Sequence, residues 1–267
     1  MTAIQLAGIT VYPVKSAGGI AVTEWEVEAR GLRWDRRWVV TDPAGQFFTQ
    51  RDHPRLALVR PTLLRDALRL EAPGLPPLEV PLAAPDGAPK VPVVVWEDST
   101  WGVVVDGGAG EWFTRLLGVP SRLVFMPDDV VRPVDPTYGQ PADQVSFADG
   151  FPFLLISQAS LDDLNGRLAV PLPMNRFRPN LVVRGCAPFA EDGWRRFETG
   201  GISFRVVKPC ARCVVTTTDQ ETLVRGREPL RTLATYRNVG GKVMFGQNVI
   251  HDRTGRLELG SPVALLR

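Results

Sequence analysis

The stretch Val206-Val-Lys-Pro-Cys-Ala-Arg-Cys-Val-Val-Thr-Thr-Thr218 sets two cysteines, Cys210 and Cys213, beside Lys208 and Arg212 and between runs of β-branched residues. Such runs favour strands, and Val214 to Thr218 is expected to extend one. Cationic neighbours favour the thiolate, the form of cysteine that binds metal or attacks an electrophile. Chemistry is therefore expected here.

Four readings of the pair compete. A structural zinc needs four ligands, and only Cys186, His53 and His251 remain to complete a set. A thioredoxin-like redox pair needs the motif to open a helix in a βαβ context, which the residues after Cys213 do not offer. Simple burial of both sulfurs suits free cysteine in general. A single thiolate on a metal whose other soft ligands come from a cofactor agrees best with the shortage of protein ligands.

Toward the C-terminus, Glu221 to Arg227 reads as a polar turn and Leu230 to Tyr236 as a short helix. Val243 to Ile250 and Arg256 to Leu266 read as strands, with Gly260-Ser-Pro262 as the final turn. Toward the N-terminus, Leu181 to Arg184 is a strand preceded by Asn175-Arg-Phe-Arg-Pro-Asn180. Arginines at such a position are either a solvated rim or a phosphate clamp, because guanidinium matches phosphate bidentately. Val145 to Ser157 leads into a helix with Ser157 or Ser160 as N-cap and Leu161, Leu164 and Leu168 as its apolar edge. Met126 to Gln144 is a loop rich in Pro and Asp.

Further upstream, Glu111 to Leu117 is a short helix stopped by Gly118 and Pro120, its stripe of Trp112, Phe113, Leu116 and Leu117 serving packing. Val93 to Trp96 and Gly102 to Val105 form a hairpin. Glu71 to Pro92 holds seven of the chain's 24 prolines and is expected to be an irregular surface connection. Arg55 to Leu70 has strand-like apolar pairs broken by Pro61. Gly31 to Thr41 and Gln46 to Gln50 read as a hairpin around Asp42-Pro-Ala-Gly45. Strand alternation there puts Arg33 and Arg37 on one face and Arg36 on the other, so two are expected at the surface and one inward, oriented by Asp35. Ile4 to Tyr12 and Ala21 to Ala29 are strands. The turn between them, Pro13-Val-Lys-Ser-Ala-Gly-Gly19, offers Lys15, Ser16 and free backbone N–H groups to an anion. The plainer account of Lys15 is an exposed turn lysine.

A chain of 267 residues with 44% hydrophobic and 22% charged residues has room for a sizeable core. Its formal net charge of +2 gives no case for nucleic-acid binding and leaves room only for a local basic pocket. Three cysteines, an odd number, argue against a disulfide framework and for a reducing compartment. Met-Thr-Ala-Ile-Gln-Leu does not read as a signal peptide, and no apolar run has the length of a membrane span, so a cytoplasmic location without membrane partners is expected. Many strands, few helices, no regular βαβ alternation and no repeat point to a mainly β (α+β) chain: an antiparallel β-barrel with small peripheral helices.

Five segments taken together carry a resemblance: Tyr12-Pro-Val-Lys-Ser16, Val145-Ser-Phe-Ala-Asp-Gly-Phe-Pro-Phe153, Phe177-Arg-Pro-Asn180, Lys208-Pro-Cys-Ala-Arg-Cys213 and Phe245-Gly-Gln-Asn248. In this order they resemble the MOSC-domain family, in its branch of amidoxime-reducing components and bacterial YcbX-type proteins. The resemblance runs from about residue 4 to the C-terminus. It implies a molybdenum enzyme that reduces N-hydroxylated compounds such as amidoximes, hydroxylamines and N-hydroxylated bases. By the same resemblance Cys213 is the metal ligand and the catalytic position, in a molybdenum–molybdopterin cofactor, while Cys210 either supports the ligand from behind or packs, and Cys186 is buried. Cofactor contacts fall on Lys15, Ser16, Arg36 and Arg178, with Ala211 and Arg212 beside the ligand and Gly150 and Phe151 in a nearby loop. The mitochondrial members carry small hydroxyl residues in that loop, so their side-chain bonds do not transfer to Gly150 and Phe151.

The resemblance further implies a discontinuous core, residues 1–36 and 126–267, with 37–125 inserted as a subdomain of the MOSC N-terminal type. Some bacterial relatives append an iron–sulfur domain, for which this chain lacks the length and the cysteines. Electrons are then expected from a separate flavoprotein reductase, cytochrome or ferredoxin. A persulfide-carrying sulfur-transfer protein and a non-catalytic molybdopterin carrier are the alternative functions.

Overall fold

The computed structural model describes residues 3–266. Its largest sheet runs through the strands Ala264–Leu266, Arg196–Thr199, Ile202–Ala211, Lys242–His251, Phe153–Ser157, Leu181–Arg184, Gln5–Val11 and Ile20–Val22, in that spatial order. The path returns on itself. Leu6 N donates to Ser261 O at 2.9 Å and Val263 N to Ile4 O at 2.8 Å, so the first strand meets the chain just ahead of the last. Such closure removes the exposed edges that an open sheet must protect. The barrel is antiparallel except for one pair, since Phe153–Ser157 and Leu181–Arg184 run parallel.

Alternation of side chains puts one apolar set inside this ring. Phe153, Phe197 and Phe204 are buried there, with Phe197 stacked on Phe204 at 4.9 Å between centroids. Burial of each such ring contributes about 1.5–3 kcal/mol. Gly246 lets two strands close up: its φ is +82°, and a Cβ on it would lie 2.7 Å from Ile156 Cγ1 and 2.9 Å from Leu155 O. Ser157 ends its strand as an N-cap, accepting from Ser160 N, and the helix Gln158–Asn165 follows.

A second core lies between residues 14 and 125. The strands Trp38–Thr41, Arg122–Phe125, Asp98–Val104 and Lys90–Val95 form one sheet, and Arg60–Leu63, Ala67–Glu71 and Leu78–Pro81 a smaller meander. The helix Ala109–Leu117, bounded by left-handed Gly108 and Gly118, buries Trp112, Phe113 and Leu116 against them.

Several local expectations need correction. Glu71 to Pro92 is not wholly irregular: Leu78–Pro81 is a strand with Leu78 and Val80 inward, because Pro76, Pro77 and Pro81 border it without interrupting it. Pro54–Leu58 is a 3-10 turn where strand-like pairs were expected. Gly31–Leu32 pairs with Glu24–Glu28, and Trp38–Thr41 pairs with Arg122–Phe125. The hairpin expected across Asp42–Gly45 is reduced to a bridge between Thr41 and Phe47.

Residues 33–37 form a turn, with Trp34 and Arg36 at φ of +66° and +49°. Strand alternation therefore does not apply to the three arginines. Only Arg33 is exposed, and Arg37 is buried with bonds to Met126 O and the Asp128 carboxylate. The inward arginine oriented by Asp35 is Arg36, at 2.6 Å. After Cys213 the chain makes a 3-10 turn, Val214–Thr217, where strand was expected. Thr216 Oγ1 donates to Cys213 O at 2.9 Å and Thr217 Oγ1 to Val214 O at 2.8 Å. Threonine hydroxyls that bond local carbonyls offer the backbone an alternative to a sheet ladder.

Candidate functional site

Between the barrel and the second sheet lies a cleft of about 1420 Å³. It brings together every residue singled out as a site position: Lys15, Ser16, Arg36, Gly150, Phe151, Arg178, Ala211, Arg212 and Cys213 all line it. The chain reaches it from many directions, because the turn after the first strand, the 33–37 turn, the run into Leu181 and the end of the long strand Ile202–Ala211 all finish at the same end of the barrel.

Cys213 lies two residues past the end of that long strand, as the extended residue before the 3-10 turn. Its thiol is free, half-buried and without a hydrogen-bond partner among the described residues. Arg212 turns to the other cysteine: one guanidinium nitrogen donates to Cys210 Sγ at 3.1 Å and another to Phe177 O at 2.5 Å, while Nε is buried with no partner. Among the described residues no group of three or more His, Cys, Asp or Glu is placed to hold a metal. The zinc reading of the cysteine pair loses its other ligands on that observation.

The basic residues are held in a different manner. Lys15 is almost fully buried, and its Nζ donates to Asp149 Oδ1 at 2.5 Å. Burial lowers the pKa of this ammonium against the pull of Asp149. Partial desolvation by the surrounding cleft works against the charged Asp149 carboxylate, but Lys15 and the donor Trp96 Nε1 at 2.9 Å outweigh it and hold the group well below the usual range. That side chain is still 77% exposed, so water screens much of the pair.

Arg36 is fixed by two acceptors, Asp35 Oδ2 at 2.6 Å and Asn180 Oδ1 at 2.8 Å. Asp35, itself buried, also accepts from Tyr12 N at 2.8 Å and Asn180 Nδ2 at 3.0 Å; its pKa is raised because burial prevails over these bonds. Arg178 makes no hydrogen bond or ion pair among the described residues. Its guanidinium lies 4.3 Å over the Tyr12 ring, and Arg36 lies 4.4 Å over the same ring. Loss of solvation, with Arg36 adding repulsion, brings the pKa of Arg178 down to about 10.

Ser16, Arg36, Trp96 and Arg178 line the cleft with positive φ, four of the seven non-glycine residues in that region of backbone space among the described residues. Each such residue costs about 1–3 kcal/mol, and strain of this kind gathers where geometry serves function. Tyr12, Asp149 and Trp96 were not singled out from the sequence. Tyr12 and Asp149 stood inside quoted motifs, but nothing in one sequence couples Trp96 to positions 53 and more residues away.

A family model described as the MOSC N-terminal beta barrel domain matches residues 3–120, and the MOSC domain model matches residues 142–264. The human protein named mitochondrial amidoxime-reducing component 1 is 36% identical over 98% of this chain and 82% of its own length. The mouse protein of the same name is 36% identical over the same shares, and rat mitochondrial amidoxime reducing component 2 is 34% identical over 96% of this chain and 81% of its own. No helix among the described residues is long and apolar enough to cross a membrane. With both halves matched and relatives of more than one-third identity along nearly all of its length, the chain belongs to the MOSC family, in the branch that includes the amidoxime-reducing components.

Proposed function

We propose that this protein is a molybdenum-cofactor-dependent reductase of N-hydroxylated compounds, amidoximes and hydroxylamines among them. The observation that carries the reading is the partnerless thiol of Cys213 in the same cleft as Lys15, Arg36 and Arg178. One thiolate is too small a donor set for a metal held by protein alone. It suits a group that brings its own soft sulfur ligands and an acidic tail, and the residues of the cleft fit such a group. When bound, that cofactor supplies the redox couple that takes oxygen from an N–O bond.

The chain's own residues then divide the work. Cys213 supplies a sulfur ligand, and Lys15, Arg36 and Arg178 hold the anionic tail through charge-assisted bonds in a partly desolvated pocket. Ser16, Gly150, Phe151, Ala211 and Arg212 shape the walls around it. Residues 1–36 and 126–267 act as the cofactor-binding core and 37–125 as a subdomain that closes one side. Electrons come from a separate donor protein of the flavoprotein reductase, cytochrome or ferredoxin type.

Protein purified from a host that makes the cofactor is expected to hold molybdenum near one per chain and to reduce benzamidoxime with an artificial electron donor. Cys213→Ser should lose at least nine-tenths of both, and Cys210→Ser should keep most of both. Molybdenum retained in both variants would overturn the ligand assignment. A metal-free wild type bearing a persulfide on Cys213 would favour sulfur transfer instead.

A further inference from the structure

Two like-charged guanidiniums share one aromatic ring, yet they are supported unequally. Arg36 is tied down by Asp35 at 2.6 Å and by Asn180 at 2.8 Å besides its contact with Tyr12. Arg178 has only the Tyr12 ring, 4.3 Å below its guanidinium carbon, among the described residues. The backbone of Arg178 is at φ +56°, so its side chain leaves the chain from a strained position. Tyr12 is itself fixed: it is 3% exposed, its N–H donates to Asp35, and its hydroxyl reaches Pro179 O at a long 3.3 Å.

We infer that Tyr12 is a positioning residue whose ring, and not whose hydroxyl, holds Arg178 in place to receive an anionic phosphate group. The negative face of an aromatic ring attracts a desolvated cation and so offsets the repulsion between Arg178 and Arg36. An anion entering between them relieves the rest of that repulsion. Arg36, already neutralised by a buried carboxylate, keeps its place without the ring; Arg178 does not. The inference rests on the reading of Arg36 and Arg178 as anion-binding residues, and the test separates the two.

Pyrophosphate binding to cofactor-free protein is the measurement, made by titration calorimetry at fixed low salt. Tyr12→Phe should stay within about twofold of wild type, and Tyr12→Leu should weaken binding by about tenfold, in line with loss of a desolvated cation–π contact. In double variants, Tyr12→Leu should add little to Arg178→Ala and should add its full effect to Arg36→Ala. In NMR spectra the Arg178 side-chain Nε–Hε signal should lose its ring-current shift in Tyr12→Leu and keep it in Tyr12→Phe. A Phe variant as weak as Leu, or full additivity with Arg178→Ala, would overturn the role of the ring. If Arg36→Ala and Arg178→Ala both bind pyrophosphate like wild type, the anion-binding reading itself fails, whatever Tyr12 does.

Discussion

Cys213 and Arg36 share a cleft but are held in contrary ways. Cys213 lies two residues past a ten-residue strand with an extended backbone, and nothing among the described residues takes up its sulfur. Arg36 sits at a left-handed φ of +49°, with a buried carboxylate, an amide and an aromatic ring all spent on orienting it. As the proposed metal ligand Cys213 needs a sulfur lone pair left open, whereas a long flexible cation must be stripped of its freedom before an anion arrives. The contrast implies that substitutions near Cys213 act on the bound group and leave the fold intact, while substitutions behind Arg36 act on both.

The largest expected effect outside the proposed metal ligand tests that second half. Asp35 is 3% exposed in its side chain and pairs with an Arg36 side chain that is 13% exposed. Removing one partner of a buried pair strands the other charge, at a cost of about 3–5 kcal/mol. Asp35→Ala should therefore lose that much stability in denaturant unfolding, while Cys213→Ser, which strands nothing, should unfold within about 0.5 kcal/mol of wild type. Equal losses in the two variants would erase the contrast.

Lys15 stands between the extremes. It is buried, yet its partner Asp149 is largely exposed and keeps the Trp96 donor when the ammonium is gone. Methionine at this position would pack on the Phe47 ring, which lies 5.3 Å from Nζ. Lys15→Met is expected to weaken pyrophosphate binding by about tenfold, as loss of one charge-assisted bond implies, with a stability change under about 1 kcal/mol. A loss of several kcal/mol would place Lys15 with Arg36 as part of the scaffold.

The same contrast governs what the sequence discloses. The pair Cys210 and Cys213 is legible because it stands beside Lys208 and Arg212, though only the family resemblance picks Cys213 out of it, and the arginines before Pro179 are legible because that proline marks the turn into a strand. Helix ends are legible too: Gly118 and Ser157 act through groups within four residues, and local chemistry is what a single sequence records. The devices that orient the cations are not local. Asp149 meets Lys15 across 134 positions, and Asn180 meets Arg36 across 144. Arg37 was misplaced for a related reason: the left-handed turn at Trp34 and Arg36 is fixed by Asp35 bonding back to Tyr12 N, 23 residues earlier, and strand alternation fails once the chain turns.

The smallest expected effect lies in the barrel itself, away from the clamp, and shows what an orphaned polar atom costs where no ligand waits for it. His251 closes the strand Lys242–His251, is 8% exposed and packs against Phe153. Its Nε2 lies 2.7 Å from Glu28 O; because a carbonyl only accepts, Nε2 carries the proton and Nδ1 is left a buried lone pair without a donor. Protonation would put an unsatisfied N–H there, and burial accordingly lowers the pKa of the ring. The folded state thus resists the proton that the unfolded chain accepts near pH 6.5. Stability present above about pH 6.5 should fall as pH drops from there toward the folded pKa, by at most about 1.4 kcal/mol per pH unit for one proton. His251→Gln, whose amide nitrogen can still donate to Glu28 O, should flatten that slope between pH 7 and 5 when unfolding midpoints are compared. An unchanged slope would mean that the acid sensitivity in this range arises elsewhere.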